Sequence, residues 1–136
     1  MKKLERNPIM IHIAALRAIA RNVAYERQVS SIGEIFEISD IPFDGSRVLE
    51  FVRFQPDSLY VPHTHRKSDA QVLILEGSGL ALPTESVYRP GDHLVFPKGV
   101  PHGFRTGVDY TVMLSLNDPG ILDRETGRID VHYIPC

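Results

Sequence analysis

An all-β barrel or sandwich is the fold that this 136-residue sequence predicts. Three observations point there. From Val48 onward, short runs of β-branched, aliphatic and aromatic residues recur at near-regular spacing. Gly and Pro break those runs at Pro56, Gly77, Gly79, Pro90-Gly91, Pro97 and Gly99, which is the punctuation of strands joined by tight turns. No segment after residue 30 carries the 3.6-residue apolar period of a long helix. Many short strands with Gly- and Pro-rich turns fold as barrels or sandwiches.

The elements follow in order. The sequence predicts a short strand over Ile9–Ile13. Ala14–Arg27, rich in Ala, Arg and Leu, predicts a turn or two of helix. Ile35, Ile38 and Ile41 open the strand-rich region. Val48–Gln55 is the first clear strand, ended by Pro56-Asp57. Leu59–His65 is the second, and Gln71–Leu75 is an apolar run closed by Gly77. Pro90-Gly91 turns the chain into His93–Phe96, and Pro97-Lys98-Gly99 turns it again. Tyr110–Leu116 is a strand, and Gly127 opens a last one, Arg128–Ile134. Phe36, Phe43, Phe51, Phe54 and Phe96 read as core or interface.

Composition narrows the classes. The length is that of one domain, and 43% hydrophobic with 24% charged residues is ordinary for a globular chain. A net charge of −2 and a pI near 6.3 give no basic patch for nucleic acid. No run approaches the ~20 apolar residues of a membrane span. The single cysteine, Cys136, excludes a disulfide framework within the chain and fits a reducing, cytoplasmic setting. Lys2 and Lys3 before an apolar stretch loosely imitate a signal peptide, but Arg6, His12 and Arg17 interrupt it, so the stretch reads as part of the fold.

The chemistry lies in histidines. His63 and His65 are two apart on an extended segment, so both side chains face one way. Two neutral imidazoles on one strand face can grip a divalent ion. His102 follows the Pro97–Gly99 turn, where a sharp bend could aim a third imidazole across the barrel. Three protein ligands leave coordination positions open, as a catalytic metal requires. His12, His93 and His132 read as ordinary surface or core residues. No Gly-rich phosphate loop and no nucleophile elbow is present, and Cys136 is no candidate nucleophile.

Gly91, Pro97, Gly99 and His102 stand at the spacing of the second signature of the cupin superfamily, which this stretch resembles. A chance match at background Gly and Pro frequencies is on the order of one in a thousand. His63, His65 and Gly77 match the first signature. The resemblance spans roughly Val48 to Leu116 and is to the small, single-domain, RmlC-like type. It implies a double-stranded β-helix, the cupin jelly-roll barrel, with an N-terminal extension that includes a short helix. It implies one domain over 1–136: an extension with dimerisation strands over 1–45, the barrel motifs over 46–118, and a C-terminal loop and strand over 119–136. The metal would be Fe, Mn, Ni or Zn, the partner a small-molecule substrate or ligand, and the assembly a homodimer.

The sequence departs from the pattern at three places. Asp57 replaces the leading glycine of the first signature, and Thr106 replaces the closing asparagine of the second. Ala70 occupies the usual glutamate position and has no donor atom. Asp69, at a shorter permitted spacing, or Gln71, one residue on, could supply a fourth ligand if a bulge turned it inward. Alternatively the three histidines bind alone, as in cupin dioxygenases that dispense with the glutamate. Arg53, His93, Phe104, Tyr110 and Tyr60 are candidates for the barrel interior: Arg53 for a substrate carboxylate, His93 or Tyr110 for proton transfer. The implied activity is that of a metal-dependent enzyme on a small polar molecule, either an Fe(II) dioxygenase or a Mn-, Ni- or Zn-dependent isomerase, cyclase or lyase. The alternative is a binding or sensing module without turnover.

Overall fold

A computed structural model describes residues 8–42, 45–122 and 129–133. Phe43 and Cys136 lie outside the described residues. The elements are α1 (Pro8–Asn22), β1 (Glu26–Val29), β2 (Ile35–Ile41), β3 (Val48–Phe54), β4 (Leu59–Thr64), β5 (Asp69–Glu76), β6 (Gly79–Leu82), β7 (Ser86–Tyr88), β8 (His93–Phe96), β9 (His102–Thr106), β10 (Thr111–Asp118) and β11 (His132–Tyr133). Two antiparallel sheets face each other, ordered β1-β2-β3-β10-β5-β8 and β11-β4-β9-β6-β7. This is the double-stranded β-helix expected. No helix among the described residues is long and apolar enough to cross a membrane.

Strand alternation sorts the side chains into two cores. Val52, Val72, Ile74, Ala81, Tyr88, Phe104 and Met113 fill the space between the sheets, with Phe36, Phe54 and Phe96 against them. The alternating neighbours Phe51, Leu75 and Val112 point the other way and are covered by Ile13 and Ala20 of α1. Burying a Phe or Leu side chain contributes about 1.5–3 kcal/mol, so the helix is held by this second core.

That packing corrects the N-terminal expectation. Ile9–Ile13 belongs to α1 rather than a strand. Ile13, Leu16 and Ala20 recur at helical spacing on one face, and tertiary burial outweighs the β preference of Ile. Pro8, tolerated at a first helical position, starts the helix. Arg21 in its last turn binds Glu76 of β5, and the Tyr25 hydroxyl donates to the Ala20 carbonyl at 2.8 Å. Strands β1, β6, β7 and β9 were not legible as strands. β6 and β9 contain Gly79 and Gly103, and β7 has three residues.

Candidate metal centre

β4 and β9 build the centre. His63 and His65 are two apart, and His63 pairs directly with His102 across the two strands. The register shifts between Tyr60 and His63, so β4 bulges beside Gly103. A Cβ at Gly103 would stand 2.4 Å from the Tyr60 carbonyl oxygen, so glycine is what lets β9 approach the bulge and set His102 opposite His63. The preceding turn is held as well. Gly99 adopts φ +81°, a conformation glycine adopts without penalty, and its N–H donates to the His65 carbonyl at 2.7 Å.

The three rings converge. Centroid separations are 4.9 Å for His63–His65, 4.3 Å for His63–His102 and 4.9 Å for His65–His102. One ring nitrogen of each lies within 4.8 Å of the others. His65 and His102 are 4% and 5% exposed. Burial, and then the neighbouring imidazoles His102 and His65, hold His63 down to about 3, against a hydrogen bond to the Val61 backbone. Burial likewise holds His102 down to about 4, opposed by its Val100 hydrogen bond and helped by His65. Both rings are therefore neutral near pH 7, the form that ligates metal.

Hydrogen bonds fix which nitrogen faces inward. The Nδ1 of His65 meets the Asp130 carbonyl oxygen, and that of His102 meets the Val100 carbonyl at 3.2 Å. A carbonyl only accepts, so Nδ1 carries the proton and Nε2 keeps its lone pair. Phe96 stacks on His102 at 4.4 Å and 9°, limiting ring rotation.

Register gives the rest of the lining. Val48, Asn117, Ala70 and Phe96 form one inward row across the larger sheet, and Glu50, Ser115, Val72 and Leu94 form the next. Since Phe96 stacks on His102, the first row is level with the histidines. Ala70, 5% exposed, stands where the resemblance places a carboxylate. Asn117 and Ser115 are buried, with the Asn117 amide donating to Ser115 at 3.4 Å. Glu50 shares the inward parity of Val52 and Phe54 and pairs with Asp40 of β2. Burial, then the hydrogen bond and repulsion from Asp40, raise its carboxyl to about 7. Ser68 Oγ is buried without a hydrogen-bond partner among the described residues.

The other candidates sort by parity. Because Ala70 faces inward, Asp69 and Gln71 face outward. Asp69 is exposed and accepts the Lys98 N–H at 2.9 Å, and Gln71 Oε1 meets His93 Nε2 at 2.8 Å. The bulge that would have turned either inward occurs instead further along β5, where Ile74 and Glu76 oppose the consecutive Met113 and Val112 and Leu75 is the extra residue. His93 is accordingly an exposed outer residue. Arg53 is also outside the barrel, in register with Phe51. It forms a two-point pair with Glu37 at 3.2 and 2.6 Å and lies 4.2 Å from the Tyr25 ring. Tyr110 is 46% exposed, its ring centroid 5.5 Å from the same guanidinium. These positions correct the expected interior places of Arg53, His93 and Tyr110. Phe104 and Tyr60 do lie inside, 4% and 6% exposed, and pack on Phe54. Sequence reading missed Glu50 and Asp130. Glu50 was findable, since it stands two and four residues from inward Val52 and Phe54.

Three imidazoles with one ring nitrogen each within 4.8 Å of the others fit a divalent first-row transition ion, and the donor set leaves coordination positions for a ligand. A model of the cupin family, described simply as cupin, matches residues 21–119. Among solved structures, KdgF from a Halomonas species superposes with TM-score 0.62 at 17% identity, covering 78% of this chain and 94% of that one. The polyketide cyclase RemF of Streptomyces resistomycificus gives 0.61 at 19%, covering 100% and 87%. The DMSP lyase DddQ of Ruegeria pomeroyi DSS-3 gives 0.59 at 20%, covering 84% and 65%. No curated protein matches by sequence. At these identities the structures establish a shared fold, and the family match over most of the chain establishes membership: this protein is a cupin.

Proposed function

We propose that this cupin is a metal-dependent enzyme acting on a small polar organic molecule, with His63, His65 and His102 as the protein ligands among the described residues. The convergence of three ring nitrogens within 4.8 Å carries the reading. A bound Fe, Mn, Ni or Zn ion would supply Lewis acidity toward a substrate oxygen. The chain itself supplies the rest. Glu50, raised to about 7, can hold a proton near neutral pH and release it, as a general acid–base group must. Ser115 and Asn117 offer polar atoms beside it, and Phe96 shields the His102 ring from water.

Glu50 favours proton-transfer chemistry, an isomerisation, cyclisation or elimination. RemF and DddQ, a cyclase and a lyase, are compatible with that class. Among the described residues no carboxylate joins the histidine group, which favours a second reading, an Fe(II) dioxygenase. A homodimer joined through edge strand β1, where Val29 is 60% exposed, and a cytoplasmic setting belong to the same proposal, as does a single domain over 1–136.

Elemental analysis of the purified protein beside a His63→Ala/His102→Ala variant tests it. About one equivalent of metal, lost in the variant, is expected. Iron directs the next assay to oxygen consumption, and the other metals to isomerase and lyase substrates. No metal after reconstitution with each ion would sink the enzyme reading and leave a metal-free binding barrel.

A further inference from the structure

We propose that Asp130 is a positioning residue that assembles the histidine centre from the far end of the chain. It holds the centre with two different groups. Its backbone carbonyl accepts the Nδ1–H of His65. Its carboxylate accepts the three successive backbone N–H groups that follow His65: Arg66 at 2.8 Å, Lys67 at 2.8 Å and Ser68 at 3.1 Å. Successive N–H groups turned toward one anion form a nest, and here the anion belongs to the protein. The His132 ring nitrogen meets the same carboxylate at 3.0 Å. The Asp130 N–H donates to Ile121 at 2.7 Å, which anchors the residue on its other side.

The consequence for His65 is specific. Where the 66–68 backbone sits relative to residue 130 determines whether the imidazole reaches the Asp130 carbonyl. That contact selects the Nδ1–H tautomer and so leaves Nε2 free to ligate. The next residues extend the grip to a second ligand. Tyr133 pairs with His63, and its ring lies 5.9 Å from the His63 ring. Its hydroxyl donates to Glu34 Oε1 at 3.3 Å, and Glu34 Oε2 accepts the Val61 N–H at 2.7 Å. The segment 129–133 is thus part of the centre although it contributes no ligand.

The inference rests on the proposed metal function, so two readouts are needed. The first is the His65 tautomer in metal-free protein, read from long-range proton–nitrogen NMR. Wild type shows His65 fixed as Nδ1–H, and Asp130→Ala shows a mixture of tautomers. The second is Zn(II) affinity by competition with a chromophoric chelator. Asp130→Ala binds about 10–100-fold more weakly, the usual cost of losing a group that orients a ligand, and isosteric Asp130→Asn recovers part of the loss. Arg53→Ala, which breaks the Glu37 pair outside the barrel without touching the histidines, controls for general destabilisation. An unchanged tautomer with wild-type Zn(II) affinity in Asp130→Ala overturns the proposal. So does an equal loss in Arg53→Ala. Wild type that binds no Zn(II) while its tautomer is fixed by Asp130 overturns the metal reading instead.

Discussion

The two ends of the barrel interior are built by the same strands and have opposite character. At one end Phe54, Tyr60, Tyr88, Phe104 and Met113 pack ring against ring, with Phe54–Tyr60 centroids 4.2 Å apart. Two to four residues further along those strands, the inward positions become Glu50, Ser115, Asn117, His63 and His102. The apolar end supplies cohesion, and the polar end leaves groups held apart by the strands that carry them. Buried polar groups are costly unless partnered, so the polar end exists at the expense of stability and depends on the apolar end for its geometry.

That contrast breaks cleanly under substitution. Phe104→Ala should destabilise the protein by about 3–5 kcal/mol in denaturant melts, the cost of emptying an aromatic core site. His102→Ala, two residues away on the same face, should cost only about 1–2 kcal/mol yet lower metal affinity at least about 100-fold. Equal stability losses from both would show that the ends are not distinct. Glu50→Gln sharpens the comparison through pH. The folded carboxyl is raised to about 7 from an ordinary 4.5, so the native state binds more protons than the unfolded state between those values. Stability therefore falls as pH rises through that window. Removing the ionisable group should stabilise the protein by about 1–2 kcal/mol at pH 8, discounted for partial solvent access, and leave it unchanged at pH 4. A pH-independent difference would reject the buried-acid description. Arg53→Ala should have the smallest effect: about 1 kcal/mol from the lost Glu37 pair and Tyr25 contact, with unaltered metal binding. A change in metal affinity there would contradict its place outside the barrel.

The same contrast explains what could be read in advance. Gly91, Pro97, Gly99 and His102 announced the β8–β9 turn because a tight turn constrains residue types locally. His63 and His65 were legible for the same reason, as a strand fixes the facing of residues two apart. Arg53, His93 and Tyr110 were misplaced because facing depends on strand register, where an error of one residue reverses every side chain. Asp130 could not be found at all, since its contacts lie 62–65 positions away in the chain and nothing local in Ile129–Val131 marks them. The helix was half legible. Ala and Arg gave its later turns, whereas the burial of Ile13 against Phe51 and Leu75 becomes visible only in three dimensions.

Ala70 has a consequence for electrostatics. Three imidazoles are uncharged ligands, so a divalent ion held by them keeps its formal charge of two inside the barrel, where a carboxylate at residue 70 would reduce it to one. Attraction for an incoming anion scales with that charge and is strong in a medium less polarisable than water. A metal-loaded centre would thereby favour ligands that arrive with a negative oxygen or ionise on binding. Ala70→Glu should weaken azide binding to the Zn(II)-loaded protein by about tenfold, and equal azide affinity in both proteins would show that the missing carboxylate leaves ligand preference untouched.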